Sequence, residues 1–391
     1  MALALAAAQL DAQARGAPGF VPTLGWLYLT DHYAAAADTL LAEARSRWPG
    51  VAWVGAVGVG VSACGVEYFD EPGLSVMLGD LPPETFRVFS GARPLAGFAA
   101  GTAQVHADPS TPDLGELVAD LCERTASGYL FGGLASSRTR TLHIADGVWQ
   151  GGLSGVAFGE EVEIVSRVTQ GCQPLGAARR ITAADRNLVQ TLDGEAALDV
   201  LLRDIGLPGA DLRDALPRIR QTLVGLTDQT DAATPNAFST PARHASFGSD
   251  TRVRHIVGID PVRRAIAVAD TAVVGELLAF CRRDTEAARR DLMRICAEIR
   301  EEVESESRPA ALVLRGQRST AGDGPATMAG AIYVSCSGRG GPHFGAPSAE
   351  LAIVRHALGN VPLAGFFAAG EIGHRHLYGY TGVLTVFVRS P

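Results

Sequence analysis

The sequence predicts an α+β fold of two related halves, with layered sheets covered by helices and a cleft between the halves. Three observations carry this expectation. A chain of 391 residues exceeds the size at which one hydrophobic core usually stops growing. Short apolar runs bounded by glycine and proline alternate with stretches of helical periodicity. A unit of helix, strand, glycine-bearing turn and strand also occurs twice: Tyr129 to Ser137 followed by Val148 to Phe158 matches Val361 to Ala369 followed by Leu377 to Phe387.

Residues 1–21 are Ala-rich, and no basic residue precedes the short run from Leu3 to Ala8. They are expected to be a disordered tail rather than a signal peptide. Leu24 to Thr30 reads as a strand, Asp31 as an N-cap, the following Ala/Leu stretch to Arg47 as a helix, and Val51 to Val57 as a second strand. Gly55 to Ala63 literally contains the GxGxxA dinucleotide fingerprint, but Gly65 and Pro72 interrupt the helix it requires, so a turn between strands is expected. Strands follow at Leu74 to Leu78 and Phe86 to Phe89, then a helix from Asp113 to Thr125. Tyr129 to Ala135 and Val148 to Phe158 read as a hairpin-like pair. Helices are expected at Asp193 to Ile205 and Asp211 to Arg220, closing a first domain over 22–220.

Residues 221–250 read as a linker, since Thr227 to Asp250 is polar and aperiodic. The second domain, 251–391, opens on a strand from Arg252 to Ile259. Gly275 to Glu304 gives the longest helical signal. Its stripe of Leu277, Leu278, Cys281, Ala288, Leu292, Ile295 and Ile299 reads as core packing, with a partner-binding face as the alternative. Strands at Leu312 to Arg315, Ala331 to Ser335 and Leu363 to Phe367 follow, with a helix from Ser348 to His356.

Composition excludes several chemistries. All 34 basic residues are arginine, which removes a protein Schiff base, pyridoxal-phosphate attachment, the phosphate-binding loop and the kinase lysine. The net charge of −8 is spread along the chain, which disfavours nucleic acid and membrane as partners. Six cysteines without a CxxC pair suggest neither a disulfide framework nor a zinc knuckle, so a reducing cytoplasm is expected. No cofactor is indicated.

The candidate site gathers in the C-terminal third. Ser335 to Gly341 runs from a strand into a glycine-rich turn, where Arg339 is either a bidentate clamp for a carboxylate or phosphate, or an incidental loop arginine. Cys336 reads as a small core hydrophobe, or as a nucleophile paired with His343, His374 or His376. Glu371, His374 and His376 lack any established ligand spacing, so no metal is expected. Tyr378 and Tyr380 face one side and, with Glu371, give polar handles to an apolar pocket or cap a core edge. No serine fits the GxSxG elbow.

Those residues carry a resemblance. Gly55 to Gly60, Glu67 to Pro72, Cys336 to Gly340, and above all Leu363 to Gly373 with Leu377 to Leu384, resemble the FIST (F-box and intracellular signal transduction) family, with its N and C domains in tandem over roughly residues 22–388. The resemblance implies a small-ligand sensory module with amino acids as suggested ligands, and supplies no catalytic set. Cys336, Arg339, Glu371, Gly373, Tyr378 and Tyr380 are then the expected ligand contacts, with Arg339 taking the carboxylate of a zwitterion and Glu371 its ammonium. Without a fused kinase, chemoreceptor or F-box segment, the chain is expected to signal through a separate protein. Two alternatives stay open: a cysteine-dependent acyl transferase or hydrolase using Cys336 and His374, and a protein-interaction adaptor.

Overall fold

A computed structural model of the chain describes residues 2–228, 251–306 and 326–389. Most of the expected 221–250 linker and the expected strand at Leu312 to Arg315 lie outside those residues. The chain divides into two compact units, Met1–Thr169 with Leu292–Pro391, and Gln170–Asp291. These divisions differ from the sequence expectation, and the reason lies in how the strands pair.

The first unit begins with α1 (Ala2–Ala14) in place of the expected disordered tail. Leu3 and Ala7 stand one turn apart, so they share a face, and both are buried in a cluster with Leu27, Leu41 and Trp53. Burial of that face holds a helix whose sequence alone shows little amphipathic pattern.

The rest of the unit repeats one pattern three times: strand, crossover helix, parallel strand, hairpin, returning antiparallel strand. The first copy is β1 (Leu24–Thr30), α2 (Ala37–Arg47), β2 (Ala52–Gly58), β3 (Gly60–Ala63), β4 (Val66–Phe69) and β5 (Leu74–Gly79), followed by β6 (Phe86–Phe89). The second is β7 (Thr102–Ala107), α3 (Leu114–Glu123), β8 (Leu130–Leu134), β9 (His143–Ala145), β10 (Val148–Trp149) and β11 (Leu153–Phe158), followed by β12 (Ile164–Thr169).

The chain then builds its second unit, Gln170–Asp291. This comprises β13 (Cys172–Pro174), β14 (Arg179–Asp185), β15 (Leu188–Leu192), β16 (Glu195–Ala196), α4 (Ala197–Asp204), α5 (Leu212–Gln221), β17 (Leu223–Thr227), β18 (Arg252–Asp260), β19 (Ala265–Val268) and β20 (Leu277–Arg283). Strands β14, β15, β19, β18, β17 and β20 pair in that order and β20 returns to β14, so the sheet closes on itself and leaves no edge among those six. Its core, including Ile181, Val224, Ile266 and Phe280, is completed by α4 and α5 through Leu198, Leu201 and Ile219. The expected helix from Gly275 divides here. Leu277 to Arg283 is a strand, and α6 (Thr285–Glu306) starts only after Asp284, whose Oδ1 accepts from Ala287 N at 2.7 Å as an N-cap. Ala288, Leu292, Ile295 and Ile299 are fully buried, so the helical part of the stripe is core.

The third copy follows as β21 (Thr327–Cys336), α7 (Ala349–Leu358), β22 (Leu363–Ala368), β23 (Glu371–Gly373), β24 (His376–Tyr378) and β25 (Gly382–Arg389). In every copy the crossover strands are parallel (β1 with β2, β7 with β8, β21 with β22), and β5, β11 and β25 run antiparallel beside β1, β7 and β21. The hairpins are exchanged in a cycle. β3–β4 joins β22 of the third copy, β9–β10 joins β2 of the first, and β23–β24 joins β8 of the second. Strands β6 and β12 also cross, to β11 and β25. The segments Tyr129 to Ala135 and Val148 to Phe158 therefore do not form a hairpin. Strand β7 lies between them, because a helical crossover returns β8 parallel to β7. The two matched stretches of sequence are two of three related copies.

A glycine marks each parallel pair. A Cβ at Gly55, Gly132 or Gly365 would lie 1.9, 2.0 or 1.8 Å from the carbonyl oxygen of Leu27, Val105 or Tyr333. Only glycine lets the second strand approach that closely. The inner faces of the three sheets share one core containing Trp26, Tyr28, Phe131, Phe158, Val334 and Phe366, while α1 with α2, and α3, cover the outer faces of the first and second sheets.

Candidate functional site

Strand β21 ends at Cys336, and the turn beyond it brings Arg339 back, its N–H donating to Cys336 O at 2.7 Å. The guanidinium is 1% exposed and meets Glu350 from the first turn of α7, with Nε–Oε1 2.8 Å and Nη2–Oε1 2.6 Å. Tyr333 Oη and Ser335 Oγ, side by side on the helix-facing side of β21, donate to the two Glu350 oxygens at 2.7 and 2.9 Å. Phe344 lies under the guanidinium, 5.1 Å from its carbon. Burial alone would lower Arg339, but the Glu350 carboxylate outweighs it and holds the cation above its ordinary value. Arg339 is thus an internal ion pair and does not present an open clamp for a ligand carboxylate.

Glu371 opens β23 and is fully buried. Thr381 donates to its Oε2 from both N–H (3.2 Å) and Oγ1 (2.6 Å), and the Cys336 thiol lies close enough to act on the same carboxyl group. Burial outweighs these bonds and the Arg339 charge, pushing the carboxyl up to about 8. At neutral pH it is mostly protonated, and so offers no fixed anion to a ligand ammonium. Burial first, and Glu371 second, push the Cys336 thiol up to about 12, against smaller opposing effects of Arg339 and the Gly338 and Tyr380 backbones. A nucleophilic thiol needs the opposite shift.

The remaining expected contacts are structural neighbours of this network. Gly373 lies where a Cβ would come within 2.9 Å of Val168 and 3.2 Å of the Tyr378 ring. Tyr378 is buried, with His376 against its edge, and His374 stands 4.4 Å from the Tyr129 ring. Tyr380 adopts φ 63°, and its carbonyl accepts from Arg339 Nη1 at 3.5 Å. Among the described residues, no three or more His, Cys, Asp and Glu gather as a metal site.

Sequence reasoning missed Tyr333, Ser335, Glu350 and Thr381. One signal was available: Glu350 stands on the same stripe of α7 as Val354 and Leu358, an acid where the pattern calls for an apolar residue. Glu67 from β4 completes the group. Its Oε1 accepts from Ser348 N at 2.6 Å while its own N–H donates to Ser348 Oγ at 3.0 Å, a reciprocal cap on the N-terminus of α7.

The same helix also borders a cavity of about 580 Å³. Leu351, Val354 and Leu358 form its helical wall, Ala331 and Leu363 its strand floor, and Arg355 and Asn360 its polar rim. Helix α7 therefore carries Glu350 into the buried network and, within one turn, the wall of an open cavity.

The segments brought together here are those that carry the family signature. Among family descriptions, the FIST N domain matches residues 23–195 and the FIST C domain residues 197–374. The chain is 31% identical over 409 aligned positions to an uncharacterized protein of Mycobacterium tuberculosis (strain ATCC 25618 / H37Rv), covering 98% of this chain and 96% of that protein. It is 30% identical over 398 positions to an uncharacterized protein of Mycobacterium bovis, covering 97% and 92%. FIST domains are in general sensory domains of signal transduction, and no described helix is long and apolar enough to cross a membrane. With both domain descriptions matched in tandem across most of its length, the chain belongs to the FIST family.

Proposed function

We propose that this protein is a small-ligand sensor in which the signature segment is the part that changes state rather than the part that touches solvent. The observation that carries this reading is the position of α7. One residue of that helix, Glu350, holds the buried Arg339, Tyr333 and Ser335 together, and the next turn walls a cavity open to small molecules. A ligand that displaces α7 by a fraction of an ångström must strain or release a buried ion pair, and such pairs switch between discrete arrangements.

Amino acids and similar zwitterions are the ligand class carried by the family resemblance. Direct contact with Arg339 and Glu371 requires Arg339 to leave Glu350 and Glu371 to ionise, so ligand binding at those residues would itself be the switching step. A separate signalling protein would read the changed surface, and a cytoplasmic setting fits six free thiols.

Calorimetry of the full chain against the amino acids and their deaminated carboxylates tests the reading, followed by hydrogen exchange on any complex. Binding heat together with changed protection over 336–340 and 371–381 is the expected result. Absence of binding across both series, or binding that leaves those two segments unchanged, overturns it.

A further inference from the structure

The cavity beside α7 has a chemistry of its own, and it differs from that of the buried network. Its walls are aliphatic, and none of its lining side chains is acidic. The single charged group on its rim is Arg355, which is exposed; its recorded hydrogen bond is a long one, 3.5 Å from Nη2 to the Asn360 amide oxygen. Among the described residues no carboxylate stands within ion-pair distance of Arg355, whereas Arg339 is paired with Glu350.

The arginine is also held in place. The β3–β4 turn passes over its stem at Cys64 and Gly65, with φ of 46° and 90°. A Cβ at Gly65 would stand 2.8 Å from Arg355 Cδ, so glycine there both permits the turn and seats the arginine beside the cavity. The volume, about 580 Å³, lies inside the range of roughly 300–1,000 Å³ typical of small-molecule sites.

We propose that this cavity is the sensor's ligand site, and that it takes a small monocarboxylate with an apolar body. The carboxylate lies on the Arg355 guanidinium, with the Asn360 and Gln13 amides at hand as donors, and the hydrocarbon lies against Leu351, Val354 and Leu358. Lacking an acidic lining side chain, the cavity gives an α-ammonium no ionic partner. The inference rests on the sensor reading and assigns that sensor a place and a ligand class.

The test uses the full chain with phenylacetate and 4-methylpentanoate as probes, and their primary amides as controls. Calorimetry should show binding of both acids, weakened tenfold or more in Arg355→Gln and in Leu351→Trp, which fills the cavity, and no competition by the amides. Bound acid should also slow alkylation of Cys64, the exposed cysteine that lines the same cavity. Arg355 is exposed, so its variant should keep the fold, and circular dichroism of both variants checks this, because Leu351 is buried. Binding that is undiminished in both variants, or that leaves Cys64 unprotected, overturns the proposed place and leaves the sensor reading standing. If amides bind as well as acids, the ligand class is overturned. No binding of the acids, with amino-acid binding in the calorimetric series above, overturns this inference alone; no binding in either series overturns both.

Discussion

Replacing Glu371 by glutamine removes one ionisation and little else, because glutamine has the shape of the neutral acid and its carbonyl can accept from Thr381 as the carboxyl oxygen does. In the folded protein Glu371 sits at about 8, against an ordinary value of 4.5. The native state therefore keeps a proton that the unfolded chain releases above 4.5. The contribution is full below 4.5 and is lost as pH rises to about 8, at about 1.4 kcal/mol per pH unit.

His106 works in the other direction. Burial, then the neighbouring His143, push it down to about 3 from 6.5, so its contribution is present above 6.5 and is lost as pH falls toward 3. The two oppose one another between 4.5 and 6.5, and above 6.5 Glu371 acts without that opposition. Between pH 6.5 and 8 the wild type should lose about 2 kcal/mol relative to Glu371→Gln. The groups facing Glu371 do not titrate in that window: Cys336 is pushed up to about 12, and Arg339 stays charged.

Urea unfolding followed by tryptophan fluorescence is the appropriate assay, because Trp26, Trp48, Trp53 and Trp149 all lie in the first unit and report its unfolding alone. A stability difference between wild type and variant that is the same at pH 6.5 and pH 8 would refute the reasoning.

Arg339→Met leaves Glu350 buried without its cation and should destabilise the first unit by about 3–5 kcal/mol in the same assay; a loss under about 1 kcal/mol would mean the pair opens readily. Iodoacetamide near neutral pH should label Cys64 rapidly and Cys336 only after unfolding, as peptide mass spectrometry would show; native-state labelling of Cys336 at the rate of Cys64 would revive the thiol-enzyme reading. Gly365→Ala should cost about 3 kcal/mol or more, since its methyl group meets the Tyr333 carbonyl. Gly151→Ala, where φ is 74° but the space is open, should cost about 1–2 kcal/mol; equal effects in thermal unfolding would contradict the close-approach argument.

The α+β class and most strands and helices were legible because each carries its own periodicity and caps. What failed was anything decided by a partner distant in sequence. Leu277 to Arg283 continues in phase with the apolar face of α6, so only Asp284 marks where strand gives way to helix. The first copy of the repeat was hidden because its shared feature with the other two is a single close-approach glycine, Gly55, set among unrelated side chains. At the site, Cys336, Arg339 and Glu371 lie near one another, but what each of them faces was not legible in the sequence. Nothing local to Arg339 shows that Glu350 reaches it from the apolar stripe of a helix, or that Glu371 lies beneath a finished sheet.

The cyclic exchange of hairpins also constrains how the protein is made. Ala63 on β3 has its sheet partner at Ala364 on β22, and Ile372 on β23 must return to Gly132 on β8. No copy of the repeat can complete its sheet from its own residues, so the first unit cannot close until the third copy has been synthesised. The barrel of Gln170–Asp291 needs only strands from within its own span. On a ribosome it can therefore fold first, while β3 and β4, with the exposed Val66 and Tyr68, wait for a partner about 300 residues away and are open meanwhile to pairing with another chain.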